Sequence, residues 1–419
     1  MGKDTMKNII KKARKATREL SVLSTAEKNR LLFAMAEGVA SASDSIKKAN
    51  AEDVERARKG GKNAAFIDRL KLDDKRIDGI CSMVKEIAKL KDPVGEVLER
   101  LERPNGLIIE KVRVPIGVIG IIYESRPNVT ADCAALCFKS GNVVILRGGS
   151  DAISSNKAIY HAMKEAATGA GLTEDAFILV EDTSRELVDD MLNAAGGIDL
   201  IMPRGGESLI RQVVQKSRVP VIKHYKGICH VYVDEYANLD MAADICYNAK
   251  VQRPGVCNAM ETMLVHESVA AEFLPRVAKK LSDAGVTLKG DSATREILVL
   301  EKVSEAVEED FHTEYLDLTL NIRVVRSLAE AVDHIAEFGT DHSDAIVTED
   351  ETRALEFTKR VDSAAVYVNA STRFTDGSEF GKGAEIGIST DKLHARGPMG
   401  LPELTTYKYV VTGTGQIRG

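Results

Sequence analysis

Apolar positions recur every three or four residues through the first ninety residues of the chain, the spacing of helices that bury one face. Leu31, Leu32, Met35, Ala36 and Val39 fall on one side of such a helix, opened by Ser24-Thr25-Ala26-Glu27, which suits a capping box. Gly60-Gly61 ends the next run, and Pro93 follows another that carries Ile77, Cys81, Val84 and Ile87. The character then changes. Residues 96–103 and 107–114 flank Pro104-Asn105-Gly106, and Asn-Gly is a strong hairpin signal. A ribbon this charged has little reason to enter a core; it either lies in solvent or pairs with another chain. Residues 404–412, with Tyr407 and Tyr409 alternating, read as a further strand of the same kind, so a homo-oligomer, dimer or larger, is expected.

From residue 114 onward, runs of strand length alternate with helical segments. Strands are expected at 117–123, 143–146, 177–180, 198–202 and 219–223, with helices at 129–139, 151–168 and 184–195. After Gly227 the rhythm resumes, with strands at 230–234, 261–266, 322–325 and 344–348 and helices at 239–250, 269–283 and 329–338. This is the pattern of parallel sheets covered by helices, an α/β fold. At 419 residues the chain exceeds what one core usually organises. The expected division is a first domain at 1–225, interrupted by a hairpin arm at 96–114, a second at 226–400, and a C-terminal strand of the arm at 401–419.

Composition narrows the function classes. A net charge of −6 gives no basic face for nucleic acid, and no apolar run of about 18 residues marks a membrane span. The N-terminal segment is basic and amphipathic but lacks a signal-peptide core, which favours a surface helix and a cytoplasmic protein. Six cysteines are too few for a disulfide scaffold, and Cys133 and Cys137, four apart on one helix, read as small buried hydrophobes. No spacing supports a metal.

Two loops carry candidate chemistry. Arg147-Gly148-Gly149-Ser150 follows an expected strand and precedes a helix, where open α/β sheets present N–H groups to phosphate. It is not a GxGxxG fingerprint; a glycine-rich turn explains it equally well, while a cation at the strand's end suits a phosphorylated ribose and so NADP. Arg204-Gly205-Gly206 repeats the arrangement after the strand at 198–202, which strengthens a dinucleotide site. The second loop is Gln252-Arg253-Pro254-Gly255-Val256-Cys257-Asn258. A single cysteine is more often core than nucleophile, but Pro-Gly forces an irregular loop here and Arg253 favours a thiolate. The glycine-dense stretch 374–402 is too long for an idle connection and offers cations to an anionic substrate.

Taken together these segments resemble the γ-glutamyl phosphate reductases, a family within the aldehyde dehydrogenase superfamily. The likeness lies in residues 114–150, Ile201 to Leu209 (IMPRGGESL), Val251 to Met260 (VQRPGVCNAM), 341–348 and 366–409, nearly the whole length. It implies an aldehyde-dehydrogenase-like fold, with a Rossmann-type cofactor domain, an α/β catalytic domain and a β oligomerisation arm. Cys257 stands at the place of the family's catalytic cysteine. Arg147 stands where relatives carry a lysine near the cofactor ribose, beside Gly148, Gly149 and Ser150; Gly205 and Gly206 match a second cofactor loop. Glu314 matches the glutamate that holds the nicotinamide ribose. Arg126, Asn128, Arg253 and Arg373 are candidate substrate contacts, since guanidinium pairs with phosphate and carboxylate alike.

One departure from the superfamily matters. Hydrolytic relatives place a water-activating glutamate in Glu-Leu-Gly-Gly-Lys, whereas this chain reads Lys223-His224-Tyr225-Lys226-Gly227. A reductive enzyme has no use for that water. The implied reaction is NADPH-dependent reduction of L-glutamyl 5-phosphate to L-glutamate 5-semialdehyde and phosphate, without a metal, in proline biosynthesis. A CoA-acylating dehydrogenase and a non-catalytic scaffold on the same fold are the rivals. Because acyl phosphates hydrolyse readily, a glutamate 5-kinase is a conceivable partner, though no segment marks a docking surface.

Overall fold

The computed structural model describes residues 5–299 and 302–418. Contacts divide the chain into two compact units. One runs through Lys223 and takes in Lys382–Gly387 and the chain from Met399 onward; the other holds His224–Gly381 and Ile388–Pro398.

The first unit begins with helices that behave as their patterns require. Met6–Leu20 buries Met6, Ile9, Ala13, Ala16 and Leu20, one stripe at helical spacing. Arg14 on its flank donates to both carboxylate oxygens of Asp199 at 2.7 and 2.8 Å. The helix Thr25–Ser41 opens on a true capping box: the Ser24 hydroxyl accepts from Glu27 N, and the Glu27 carboxylate accepts from Ser24 N. Its expected apolar face is buried throughout.

Strands β1 (Val97–Glu102) and β2 (Ile108–Pro115) form the antiparallel hairpin around Asn105-Gly106, with Gly106 at φ +87°. Strands β3 (Val118–Tyr123), β4 (Val143–Gly148), β5 (Phe177–Leu179) and β6 (Leu200–Arg204) make an all-parallel sheet in the order β5-β4-β3-β6. Each is buried almost end to end, so both faces are covered. The strand expected at 219–223 is reduced to a single parallel bridge, Ile201 to Val221. Pro220 explains this: it accepts from Ile201 N at 2.8 Å but has no N–H to extend a ladder. The sheet reverses direction of winding at β3, between β4 and β6, which is where such sheets bind ligands.

The second unit holds a seven-stranded sheet, parallel throughout: β7 (Cys229–Val233), β8 (Met260–His266), β9 (Thr287–Gly290), β10 (Val303–Glu305), β11 (Thr319–Val325), β12 (Ser343–Val347) and β13 (Ala365–Val368). Their order is β10-β9-β11-β8-β7-β12-β13. Helices Leu239–Val251 and Glu267–Asp283 pack on it, burying Ala242, Cys246, Phe273, Leu274 and Val277 against Val231, Met263 and Val265. Helix Leu328–Phe338 belongs to a second cluster with Tyr232, Leu264 and Phe357. Two short strands, β14 (Ile388–Ser389) and β15 (Gly397–Pro398), pair antiparallel within the glycine-dense stretch.

The last strand, β16 (Thr405–Thr412), belongs to the first unit and pairs with β2 along its whole length, giving a three-stranded ribbon β1-β2-β16. Val97, Leu98, Leu101, Tyr407, Tyr409 and Val411 stay exposed on it. Among the described residues, no helix is long and apolar enough to cross a membrane, and no group of three or more His, Cys, Asp or Glu side chains could hold a metal ion.

Candidate active site

A cleft of about 480 Å³ opens in the first unit at the C-terminal ends of β3 and β4. The two glycine loops meet there: Arg147, Gly149, Ser150 and Gly206 line it, with Glu124, Thr183 and Arg185. Gly148 and Gly205 stand just behind, each in a space that admits no side chain. A Cβ on Gly148 would lie 2.2 Å from Asn156 Nδ2, and one on Gly205 would lie 2.4 Å from Glu124 Oε2. Glu124 in turn accepts from Gly206 N at 3.0 Å, tying the end of β3 to the second loop.

Arg147 is turned along the wall rather than out of it. Its Nη1 donates to Gly148 O at 3.0 Å and its Nη2 to Thr183 O at 2.5 Å, while Nε is buried without a protein partner. Burial holds its pKa below the usual guanidinium value. The residue therefore shapes the segment that precedes helix Arg185–Leu192, and Arg185, at that helix's first position, is the more exposed cation on the rim. Glu124, Thr183 and Arg185 were not singled out from sequence; only the position of Glu124 at the end of β3 could have marked it. The cleft's form suits a dinucleotide: backbone and glycine on two loops, cations on the rim, and an orphaned buried Nε.

Asn128 and Arg126 lie on the segment after β3. Arg126 is exposed and follows Ser125, a non-glycine residue at φ +44°. Asn128 Nδ2 donates to Asp132 Oδ2 at 2.8 Å. Burial raises Asp132 to about 6, with Asn128 and Arg204 pulling it back.

In the second unit the helix Leu239–Val251 ends, and the chain crosses an irregular loop to β8 with Cys257 near its far end. Five of the six cysteines are buried; Cys257 is half-buried. Its backbone is held from below. Gly227 packs so closely that a Cβ there would lie 1.9 Å from Cys257 O and 2.7 Å from its Cα. Cys229 Sγ donates to Cys257 O at 3.2 Å. Gly227 N donates to Glu314 Oε1 at 2.9 Å, so the backbone beneath Cys257 also fixes Glu314.

Buried groups bracket this loop. Lys250, in the helix's last turn, meets Glu261 on β8 at 2.6 Å, both fully buried. Glu261 also accepts from Leu316 N at 3.2 Å, and Leu316 sits at φ +56°, so the loop carrying Glu314 is held in an unfavourable backbone region. Burial pushes Glu261 up to about 7 against the pull of Lys250. Asn258, also buried, donates to Thr375 O at 2.7 Å and to Arg373 O at 3.3 Å, and accepts from Arg373 Nη1 through its side chain. Arg373 Nε donates to Gln252 Oε1 at 2.9 Å. Arg253 is exposed on the same loop. His224 Nδ1 lies 2.9 Å from Ile388 O, and its ring meets His342 edge-on at 5.7 Å. Gly227, Cys229, Asn258, Lys250 and Glu261 went unmarked in the sequence, because each matters through a partner distant along the chain or through its burial.

Comparison with known proteins agrees with this architecture. The aldehyde dehydrogenase family model matches residues 1–309. A γ-glutamyl phosphate reductase of Caldanaerobacter subterraneus subsp. tengcongensis is 59% identical over 97% of this chain and 98% of its own. One from Thermodesulfovibrio yellowstonii is 54% identical, covering 99% of each chain. The crystal structure of a γ-glutamyl phosphate reductase from Thermotoga maritima superposes with a TM-score of 0.97 at 48% identity, covering 99% of this chain and 100% of that one.

Proposed function

The chain belongs to the aldehyde dehydrogenase family, among its γ-glutamyl phosphate reductases, and from that membership we propose that it reduces L-glutamyl 5-phosphate to L-glutamate 5-semialdehyde and phosphate, using NADPH and a thioester on Cys257. Identity of 59% across nearly the whole chain to a relative of that name carries the reading of the substrate. The half-buried cysteine in a shaped loop supports the route.

The Cys257 thiolate attacks the acyl carbon; the carbonyl oxygen gathers charge, and the C–O bond to phosphate breaks as the tetrahedral adduct collapses to the thioester. The backbone N–H of Cys257 donates to that oxyanion, a contact of a kind worth roughly 3 kcal/mol. Arg126, Asn128 and Arg253 provide the polar groups for the substrate's phosphate and α-carboxylate. Arg147, Gly149, Ser150, Gly206 and Glu314 are the residues for the cofactor, and the cation on the cleft rim suits NADP over NAD. NADPH, when bound, supplies the hydride that reduces the thioester. The resulting alkoxide re-forms its carbonyl as the C–S bond breaks, which releases the aldehyde and returns the Cys257 thiolate. The stretch Lys223–Gly227 contains no carboxylate to activate water, which supports a phosphate-linked rather than a hydrolytic enzyme.

Replacing Cys257 by Ala tests the route. Turnover should be abolished while NADPH binding, followed by fluorescence, stays close to wild type; near-normal turnover would remove the thioester from the account.

A further inference from the structure

We propose that Arg373 is a positioning residue for the nucleophile, bracing the loop that carries Cys257 rather than binding the substrate's anionic groups. This rests on Cys257 being the nucleophile and adds the device that holds it in place. Among the sequence-derived candidates Arg373 counted as a substrate contact; its bonds assign it elsewhere.

The bracing starts at the end of β13. Asn369, at φ +54°, accepts from Thr348 N at 2.9 Å and donates to Thr348 O at 2.8 Å, so the chain leaving the sheet is pinned to the end of β12. The next residues form the short turn Thr372–Phe374, where the Ser371 hydroxyl accepts from Arg373 N. From this anchored turn, contacts reach the residue immediately after Cys257. The Thr372 hydroxyl donates to Asn258 O at 2.7 Å, and the Asn258 amide donates back to Thr375 O at 2.7 Å. Thr375 is itself fixed, its hydroxyl 2.7 Å from both Ser343 Oγ and Tyr367 Oη.

Arg373 extends this grip across the whole loop. Its Nη1 donates to the Asn258 side chain, just past Cys257, and its Nε reaches Gln252, where the loop leaves the helix. The guanidinium is thus a strut between the two ends of a loop that Pro254-Gly255 keeps out of helix or strand and whose own backbone makes a turn bond, Ala259 N to Val256 O at 3.1 Å. Only a planar fork does this; a lysine ammonium on a flexible stem meets one end or the other. Bidentate capture of a carboxylate or phosphate needs two nitrogens. Nε has one N–H and spends it on Gln252, which closes the side-on Nε/Nη2 pair to an anion, and Nη1 spends one of its two N–H groups on Asn258. Burial and the neighbouring Arg253 hold the Arg373 pKa below the usual guanidinium value, with Asp376 and Cys257 pulling it back.

The test compares Arg373→Lys, Arg373→Met and Gln252→Ala in the full-length enzyme. Four quantities are measured: kcat, KM for the acyl phosphate, the rate at which iodoacetamide alkylates Cys257 (read from the labelled peptide), and Tm. Bracing predicts a kcat lower by on the order of 10–100-fold for both Arg373 variants, with KM near wild type and Cys257 alkylation slowed. Gln252→Ala, an exposed change that removes only the Nε partner, should show the same signature to a smaller degree. The proposal is overturned if the Arg373 variants raise KM while saturated turnover and alkylation stay unchanged, which is the mark of a substrate anchor. It is equally overturned if Gln252→Ala leaves both kcat and alkylation at wild-type values, a result that decides the matter even if Arg373→Met does not fold. Normal turnover in Cys257→Ala would instead refute the thioester route, whatever the Arg373 variants do.

Discussion

At residue 227 the absence of a methyl group is a structural requirement. A Cβ there would sit 1.9 Å from the carbonyl oxygen of Cys257, and the obstacle is backbone, which cannot swing aside as a flexible side chain can. We therefore expect Gly227→Ala to displace the nucleophile's backbone, with an overpacking cost of roughly 1–3 kcal/mol or more. Thermal unfolding should show a lower Tm, and kcat should fall further than the lost stability explains; an unchanged kcat would mean that this packing does not set the position of Cys257. The contrast with Cys257 shows what a sequence reveals at this scale. Pro254-Gly255 beside a cysteine is a local signal, and the chain there is an irregular loop between a helix and β8. Gly227 is 30 residues away, and nothing nearby says which backbone presses on it. Arg373 differs: its type suits an anion site, and its bonds to Gln252 and Asn258, distant along the chain, cannot be seen in sequence.

Among the elements, those with long periodic patterns were legible and several short strands were not. Helices Thr25–Ser41, Leu239–Val251 and Leu328–Phe338 stand where their apolar stripes place them. Strands β9, β10 and β13 escaped notice because they are three or four residues long and only partly buried, whereas β5, equally short, is a fully buried apolar run. One helix also carries a pH prediction. His334 on Leu328–Phe338 is buried, accepts from Arg323 Nη1 at 3.0 Å and faces His230; burial, His230 and Arg323 together lower its pKa to about 2. The folded imidazole therefore stays neutral while the unfolded one takes a proton below about 6.5. Its contribution to stability is full above that pH and is lost as pH falls, by up to ~1.4 kcal/mol per pH unit. Glu261 and Asp132, raised by burial to about 7 and about 6, act in the opposite sense over part of that range. Comparing wild type with His334→Gln separates them: urea midpoints between pH 7 and 4 should fall less steeply in the variant. Parallel slopes would contradict the assignment.

Across the whole molecule, the chain forms two α/β units, each with its own parallel sheet. The first holds a glycine-lined cleft at the point where its sheet reverses winding; the second holds a cysteine on a loop braced from both ends and from below. The alternation of strand and helix made the α/β class readable from sequence. The chain's return to the first unit at Lys382–Gly387 was not readable, since no composition shift accompanies it; for 401–419 the expectation was a C-terminal strand of the arm. In the proposed route acyl transfer to sulfur and hydride transfer are separate steps, and the reverse reaction exposes the junction between them. Glutamate 5-semialdehyde and NADP should be supplied without phosphate, nicotinamide reduction followed by absorbance, and the quenched protein weighed. The account predicts a single round of reduction that then stalls, an acyl group on the Cys257 peptide, and renewed turnover once phosphate is added. Sustained turnover without phosphate, or a stalled enzyme whose Cys257 peptide keeps its unmodified mass, would contradict it.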